Sequence, residues 1–324
     1  MDWRPVPSFE PHPLLRSGHA QTIVAALWPS AVNEHAPVLR HVDLSDGDRL
    51  VVYDDQPVGW QSGDPVVMMV HGLGGAIRKG PLERLTGHLY ERDIRVLRME
   101  MRGVGAGMYT AKGWTHAGKS EDIDDTLRFI QTLCPDSPIR IVAYSMGGNQ
   151  LLKLLGERGD ELDQVVERAI AVAPPVCLPT CAKNITRGIS RLYDLNFVLT
   201  LNDALRQRRR MPGLMDRKVN PLPRKLLDFD RQLTAPVCGF DSVEDYYHRA
   251  SSRHVLEGIS VPTLMLVADD DPVVPSVSFR NLPLPSSVTL VETRGGGHLG
   301  YLGRKSVDPD ERWMDWRLLE QLTA

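Results

Sequence analysis

Val142-Ala143-Tyr144-Ser145-Met146-Gly147-Gly148 follows the apolar run Ile139-Arg140-Ile141 and leads into a helix-like stretch from Asn149 to Glu157. A serine between a buried strand and a helix, with very small residues two before and two after it, is the pattern of a nucleophile elbow. Close approach of strand and helix requires small side chains at those positions, here Ala143 and Gly147. The usual pattern has glycine at the first of them, so Ala143 departs from it by one methyl group. The competing reading of Ser145 is a helix N-cap.

Working outward, short and nearly continuous apolar runs recur at Val66–Val70, Ile94–Leu97, Ile139–Val142, Ala169–Val172, Thr263–Val267 and Val288–Val291. Such runs fit strands covered on both faces, as in a parallel sheet. Two alternating runs flanking Ser45-Asp46-Gly47-Asp48 signal a hairpin ahead of them. Helical patterns lie between the strands. One starts at Pro81, a favoured first-turn residue. A second opens at Ser120, read as its N-cap, with Glu121 and Asp122 at the positive end of the helix dipole. At the C-terminus Trp313, Trp316 and Leu319 repeat at helical spacing and are expected to face the core. The order predicts one mainly parallel α/β domain over residues 1–324, its central sheet flanked by helices. Between about Pro174 and Leu256 the strand rhythm stops, and residues 174–256 are expected to form an inserted helical cap. Within it Arg206-Gln207-Arg208-Arg209-Arg210 reads as a solvated helix face, with an anion or membrane-surface site as the alternative.

Composition narrows the function. The 324 residues are 42% hydrophobic and 24% charged, ample for a core, and the net charge of −3 argues against nucleic acid as the main partner. Cys134, Cys177, Cys181 and Cys238 are too few and too irregular for a disulfide scaffold or a zinc site and are expected to be reduced thiols. No N-terminal apolar stretch reads as a signal peptide, and no run approaches the ~20 apolar residues of a membrane helix. A cytoplasmic location is expected, with peripheral membrane contact open. Oligomeric state is not legible.

A serine hydroxyl needs a base within reach, and the base needs an acid to orient it. In an α/β sheet these groups sit on loops at the carboxyl ends of strands, in the chain order Ser, then Asp or Glu, then His. Ala268-Asp269-Asp270-Asp271-Pro272-Val273-Val274-Pro275 follows one late strand, and Arg294-Gly295-Gly296-Gly297-His298 follows the next. His298 is therefore the expected base. Three consecutive carboxylates repel one another and cannot all enter one pocket. Asp271 is the expected acid because prolines stiffen its loop, Asp270 is the alternative, and Asp269 is expected to face solvent or cap a turn. An oxyanion hole requires two backbone amides. Met146, just after the serine, and Leu73, in His71-Gly72-Leu73-Gly74-Gly75, are the expected donors, with His71 in a structural role.

With these motifs in place the chain resembles the α/β-hydrolase superfamily, and within it the YheT-like (AB hydrolase 4) branch. The resemblance spans nearly the full length. It includes Gly18-His19-Ala20-Gln21-Thr22, the His-Gly-Leu-Gly-Gly loop, Met101-Arg102-Gly103, His116-Ala117-Gly118 with Glu121-Asp122, and Gly296-Gly297-His298-Leu299-Gly300. It implies an α/β-hydrolase fold and a carboxylic-ester hydrolase acting on a small acyl ester through Ser145, Asp271 and His298, without metal or organic cofactor. Short to medium acyl chains are favoured. An acyltransferase using the same acyl-enzyme is an alternative, and a non-catalytic binding protein on this fold is another.

Overall fold

The computed structural model describes residues 3–29, 33–75, 80–211, 221–305 and 308–324. Eight strands form one sheet: β1 (Val38–Asp43), β2 (Arg49–Asp55), β3 (Val66–Val70), β4 (Arg95–Glu100), β5 (Ile139–Tyr144), β6 (Val166–Val172), β7 (Thr263–Ala268) and β8 (Val288–Thr293). Their order is β1-β2-β4-β3-β5-β6-β7-β8. The hairpin β1–β2 is antiparallel and β2 runs antiparallel to β4, whereas β4 through β8 pair in parallel.

Alternation along the strands builds two cores. In β3 every side chain is buried. Val66, Met68 and Val70 join one layer with Leu97, Ile141, Ile123 and Leu151, and Val67 and Met69 join the other with Val96, Val142, Leu85 and Leu318. Successive side chains point to opposite faces, so a strand with helices on both sides must be apolar throughout.

In chain order the helices are α1 (Gly18–Leu27), α2 (Gly80–Tyr90), α3 (Glu121–Leu133), α4 (Met146–Arg158), α5 (Leu178–Ile185), α6 (Arg191–Arg208), α7 (Leu226–Phe229), α8 (Ala235–Val237), α9 (Val243–Ala250) and α10 (Trp313–Leu322). A π-helical turn, Asp230–Thr234, joins α7 to α8. Helices α5 to α9 lie between β6 and β7. Among the described residues no helix is long and apolar enough to cross a membrane.

Two local readings, of Ser120 and of Arg208, are corrected. Ser120 does not cap α3 with its side chain: its backbone is already helical, and its hydroxyl donates to Glu157 on α4 at 2.8 Å. On α10 Trp313 and Leu319 are buried and Trp316 is partly buried against the same core, as the spacing predicts; Trp316 also donates its indole N–H to Asp310, and Met314, Leu318 and Leu322 complete the packing. Arg208 is not on a solvated face. It is fully buried, donates to the carbonyls of Met108, Lys112 and Gly113, and lies over the Trp114 ring at 5.7 Å. A residue-type pattern reports charge density; burial depends on which turn of α6 meets the loop beneath it.

Candidate active site

From β3 the chain crosses outward to β4, then returns to the other side of β3 as β5. This reversal opens a crevice at the strands' carboxyl ends, where ligands bind in open α/β sheets. The loop after β3 and the turn after β5 meet there.

Ser145 occupies that turn at φ 51°, ψ −120°, a conformation costing about 1–3 kcal/mol for a non-glycine residue. The surroundings enforce it. Its amide donates to Val172 of β6 at 2.8 Å, and its carbonyl accepts from Asn149 one turn into α4. Ala143 is fully buried and stays in register with Val70 of β3 and Ala171 of β6, so the departure from glycine is accommodated. Gly147 has no such latitude: a Cβ there would stand 2.4 Å from the His71 carbonyl oxygen.

Ser145 Oγ lies 3.0 Å from His298 Nε2, and His298 Nδ1 lies 2.8 Å from Asp271 Oδ2. Asp271 is 6% exposed, and its Oδ1 accepts from the amides of Val273 and Val274 at 2.7 and 2.8 Å. The neighbouring aspartates brace the same loop from outside the chain of bonds. Asp269 is exposed and accepts from the Gly295 amide, and Asp270 accepts from the Gly297 amide. Of the three, Asp271 alone reaches the imidazole.

The loop after β3 lies directly against the serine: a Cβ on Gly72 would be 3.0 Å from Ser145 Cβ. The amides of Leu73 and Met146 bond to no acceptor among the described residues. His71 is buried, accepts from the Met101 amide through Nε2 at 3.1 Å, and is pushed by burial down to about 4. It is a neutral strut joining the loop to the end of β4.

Several residues that position the site carried no assigned role in the sequence. Thr22 on α1 accepts from the His298 amide at 2.8 Å and donates to the Gly18 carbonyl. Fully buried Gln21 donates to the carbonyls of Leu15 and Leu302 and accepts from the Leu302 amide, clamping the segment after His298. Asn184 and Ser190, from the helices between β6 and β7, both donate to the Pro272 carbonyl beside the acid. Arg102 is buried, paired with Asp122, Asp46 and Asp48, and raised by Asp122 and Asp46 against the cost of burial. Asn149 donates to the carbonyls of Ala117 and Ala250. Gln21, Thr22, Arg102 and Asp122 were signalled in the sequence by their membership of the resembling motifs, whereas Asn149, Asn184 and Ser190 carried no such signal.

Ser145 borders two spaces. One is a narrow chamber of ≈ 100 Å³, mostly apolar, bounded by Met146, Leu178, Phe197, Leu201, Tyr247 and Val274. The other is a wide cleft of ≈ 620 Å³ between α1 and α6, containing His298, Ile23, Leu27 and Leu192. Among the described residues no cluster of three or more His, Cys, Asp or Glu side chains could hold a metal.

This sheet order, with a strained serine, an imidazole and a carboxylate at its carboxyl edge, defines an α/β hydrolase. A family model described as alpha/beta hydrolase fold matches residues 65–305, and the chain belongs to that family. In sequence it is 29% identical over 311 residues to the YheT protein of Escherichia coli (strain K12), covering 94% of this chain and 90% of that one. It is 27% identical to a phospholipase of Mus musculus, over 74% of this chain and 58% of the relative. It is 26% identical to the monoacylglycerol lipase of Saccharomyces cerevisiae, over 80% and 59% respectively. The chain thus spans under three fifths of these two eukaryotic relatives. In fold it is similar to the esterase Pf2001 of Pyrococcus furiosus (TM-score 0.56, 15% identity, 91% of this chain and 98% of that one). It is also similar to Est1E of Butyrivibrio proteoclasticus with bound ferulic acid (0.55, 18%, 88% and 100%).

Proposed function

We propose that the protein is a carboxylic ester hydrolase in which Ser145 is the nucleophile, His298 the general base and Asp271 the residue that orients it. The observation that carries this reading is the unbroken bond chain Ser145–His298–Asp271 at 3.0 and 2.8 Å, held over a serine whose backbone is strained. Ser145 Oγ attacks the ester carbonyl and passes its proton to His298 Nε2. Asp271, accepting from Nδ1–H, fixes the tautomer and stabilises the imidazolium. The amides of Leu73 and Met146, which have no acceptor among the described residues, hold the oxyanion. His298 then protonates the leaving alcohol and activates the water that releases the acid.

The two spaces beside Ser145 divide the substrate. The narrow apolar chamber takes the acyl chain, which favours short to medium lengths, and the wide cleft takes the alcohol. In this reading residues 174–256 act as a cap, since α5, α6 and α7 supply Leu178, Leu201 and Leu226 to the chamber wall.

A series of p-nitrophenyl esters of rising chain length, run beside Ser145→Ala, tests the proposal. Turnover should peak at short to medium chains and vanish in the variant, and a fluorophosphonate should label wild type but not Ser145→Ala. Labelling that persists in the variant would remove Ser145 from its role. Product analysis with added ethanol separates hydrolysis from acyl transfer.

A further inference from the structure

Helix α6 is apolar on two faces. Val198, Leu201 and Leu205 point into the protein and are buried. Leu192, Leu195 and Leu199, at helical spacing on the outer side, are 59, 46 and 53% exposed. Ile189 just before the helix and Leu27 on α1 are exposed as well. The two helices are joined where the His19 ring stacks on Tyr193 with Nδ1 3.0 Å from its hydroxyl. Leu27 and Leu192 also line the cleft that contains Ser145 and His298, so the exposed apolar rim is continuous with the route to the serine. Contiguous apolar surface of this kind marks an interaction site in a soluble fold.

The charge beside the rim identifies the occupant. Leu195 shares a surface depression with Arg191, Arg224 and Lys225, all exposed, and its single carboxylate, Asp194, is buried and bonded to the Leu226 amide. Lys183 and Arg187 are exposed on the adjoining turns. Among the described residues Arg187, Arg191 and Arg224 form no salt bridge. A chain of net charge −3 therefore presents a basic, leucine-studded face at the mouth of its cleft. Apolar side chains that insert into the headgroup layer, ringed by cations, are the chemistry of binding to anionic lipid. A protein seated on this rim would block the cleft; a lipid surface would supply it.

We infer that the outer face of α6, with the α1 terminus, docks on an anionic lipid surface, so that esters enter the cleft from the bilayer. This rests on the cleft being the ester's route to Ser145. Co-sedimentation with phosphatidylcholine vesicles, with and without phosphatidylglycerol, is the test. Wild type should bind the phosphatidylglycerol vesicles and release with salt. Leu195→Glu/Leu199→Glu should bind about tenfold more weakly or worse, as should Arg187→Glu/Arg224→Glu, while p-nitrophenyl acetate hydrolysis in solution stays at the wild-type rate. Absent vesicle binding, equal binding by the leucine variant, or gel filtration in which that variant turns a wild-type dimer into a monomer would overturn the inference. Loss of p-nitrophenyl acetate hydrolysis by wild type would instead count against the hydrolase reading.

Discussion

Asp271 offers one carboxylate oxygen to two backbone amides and the other to His298, whereas Asp269 and Asp270 each hold an amide of the glycine loop. The backbone turns by one residue at a time, so three identical side chains meet three different partners. Asp271→Asn should lower kcat by about 10⁴-fold, because the amide no longer fixes the productive tautomer. Asp270→Asn should lose less than about tenfold, since an amide oxygen can still accept from Gly297. Steady-state rates on one p-nitrophenyl ester, with thermal melts to establish folding, separate the two. Equal losses would mean that the loop, not the carboxylate at 271, carries the effect.

At the scale of elements, the helices between β6 and β7 are tied to the sheet domain at a few polar points. Asn184 and Ser190 hold Pro272, and Arg208 holds the loop at Met108, Lys112 and Gly113. Arg208→Ala would strand three carbonyls and leave a hole beneath Trp114. Unsatisfied buried acceptors cost about 1–3 kcal/mol each. The variant should therefore melt earlier, and proteolysis should begin in residues 191–211 while the sheet remains protected. Urea unfolding and limited trypsinolysis read both effects.

For the whole molecule, buried ionisable groups make stability depend on pH in opposing directions. Burial raises Glu100 from 4.5 to about 7, although it accepts from the Ala106 amide at 2.7 Å. Between those values the folded protein holds a proton that the unfolded chain releases. The contribution of Glu100 is therefore fully present below about pH 4.5 and is lost as pH rises through 7. His71 and His116, lowered by burial to about 4 and about 3, act the other way: their contribution is present above 6.5 and falls away as the pH drops through those values. Glu100→Gln keeps an acceptor for Ala106 and never ionises. At pH 8 it should exceed wild type by up to about 3 kcal/mol, with the gain vanishing below pH 4.5. Chemical denaturation at several pH values tests this, and a gain independent of pH would refute it.

The sequence by itself determined the local chemistry of this protein. Short continuous apolar runs alternating with helical patterns fit buried parallel strands, a small-x-Ser-x-Gly turn after one of them fits a tight strand-to-helix turn, and loops after parallel strands converge on one edge of the sheet. The α/β sheet, the elbow at Ser145 and the meeting of His298 with an aspartate after β7 were therefore legible from pattern and order. Choices that depend on direction in space were not. Which aspartate faces the imidazole, which arginine of Arg206–Arg210 turns inward, and how Thr22 and Gln21 reach across about 280 positions to hold His298 and Leu302 required the assembled chain. Periodicity fixes which side of an element is apolar; only the packing of one element on another decides what each polar group meets.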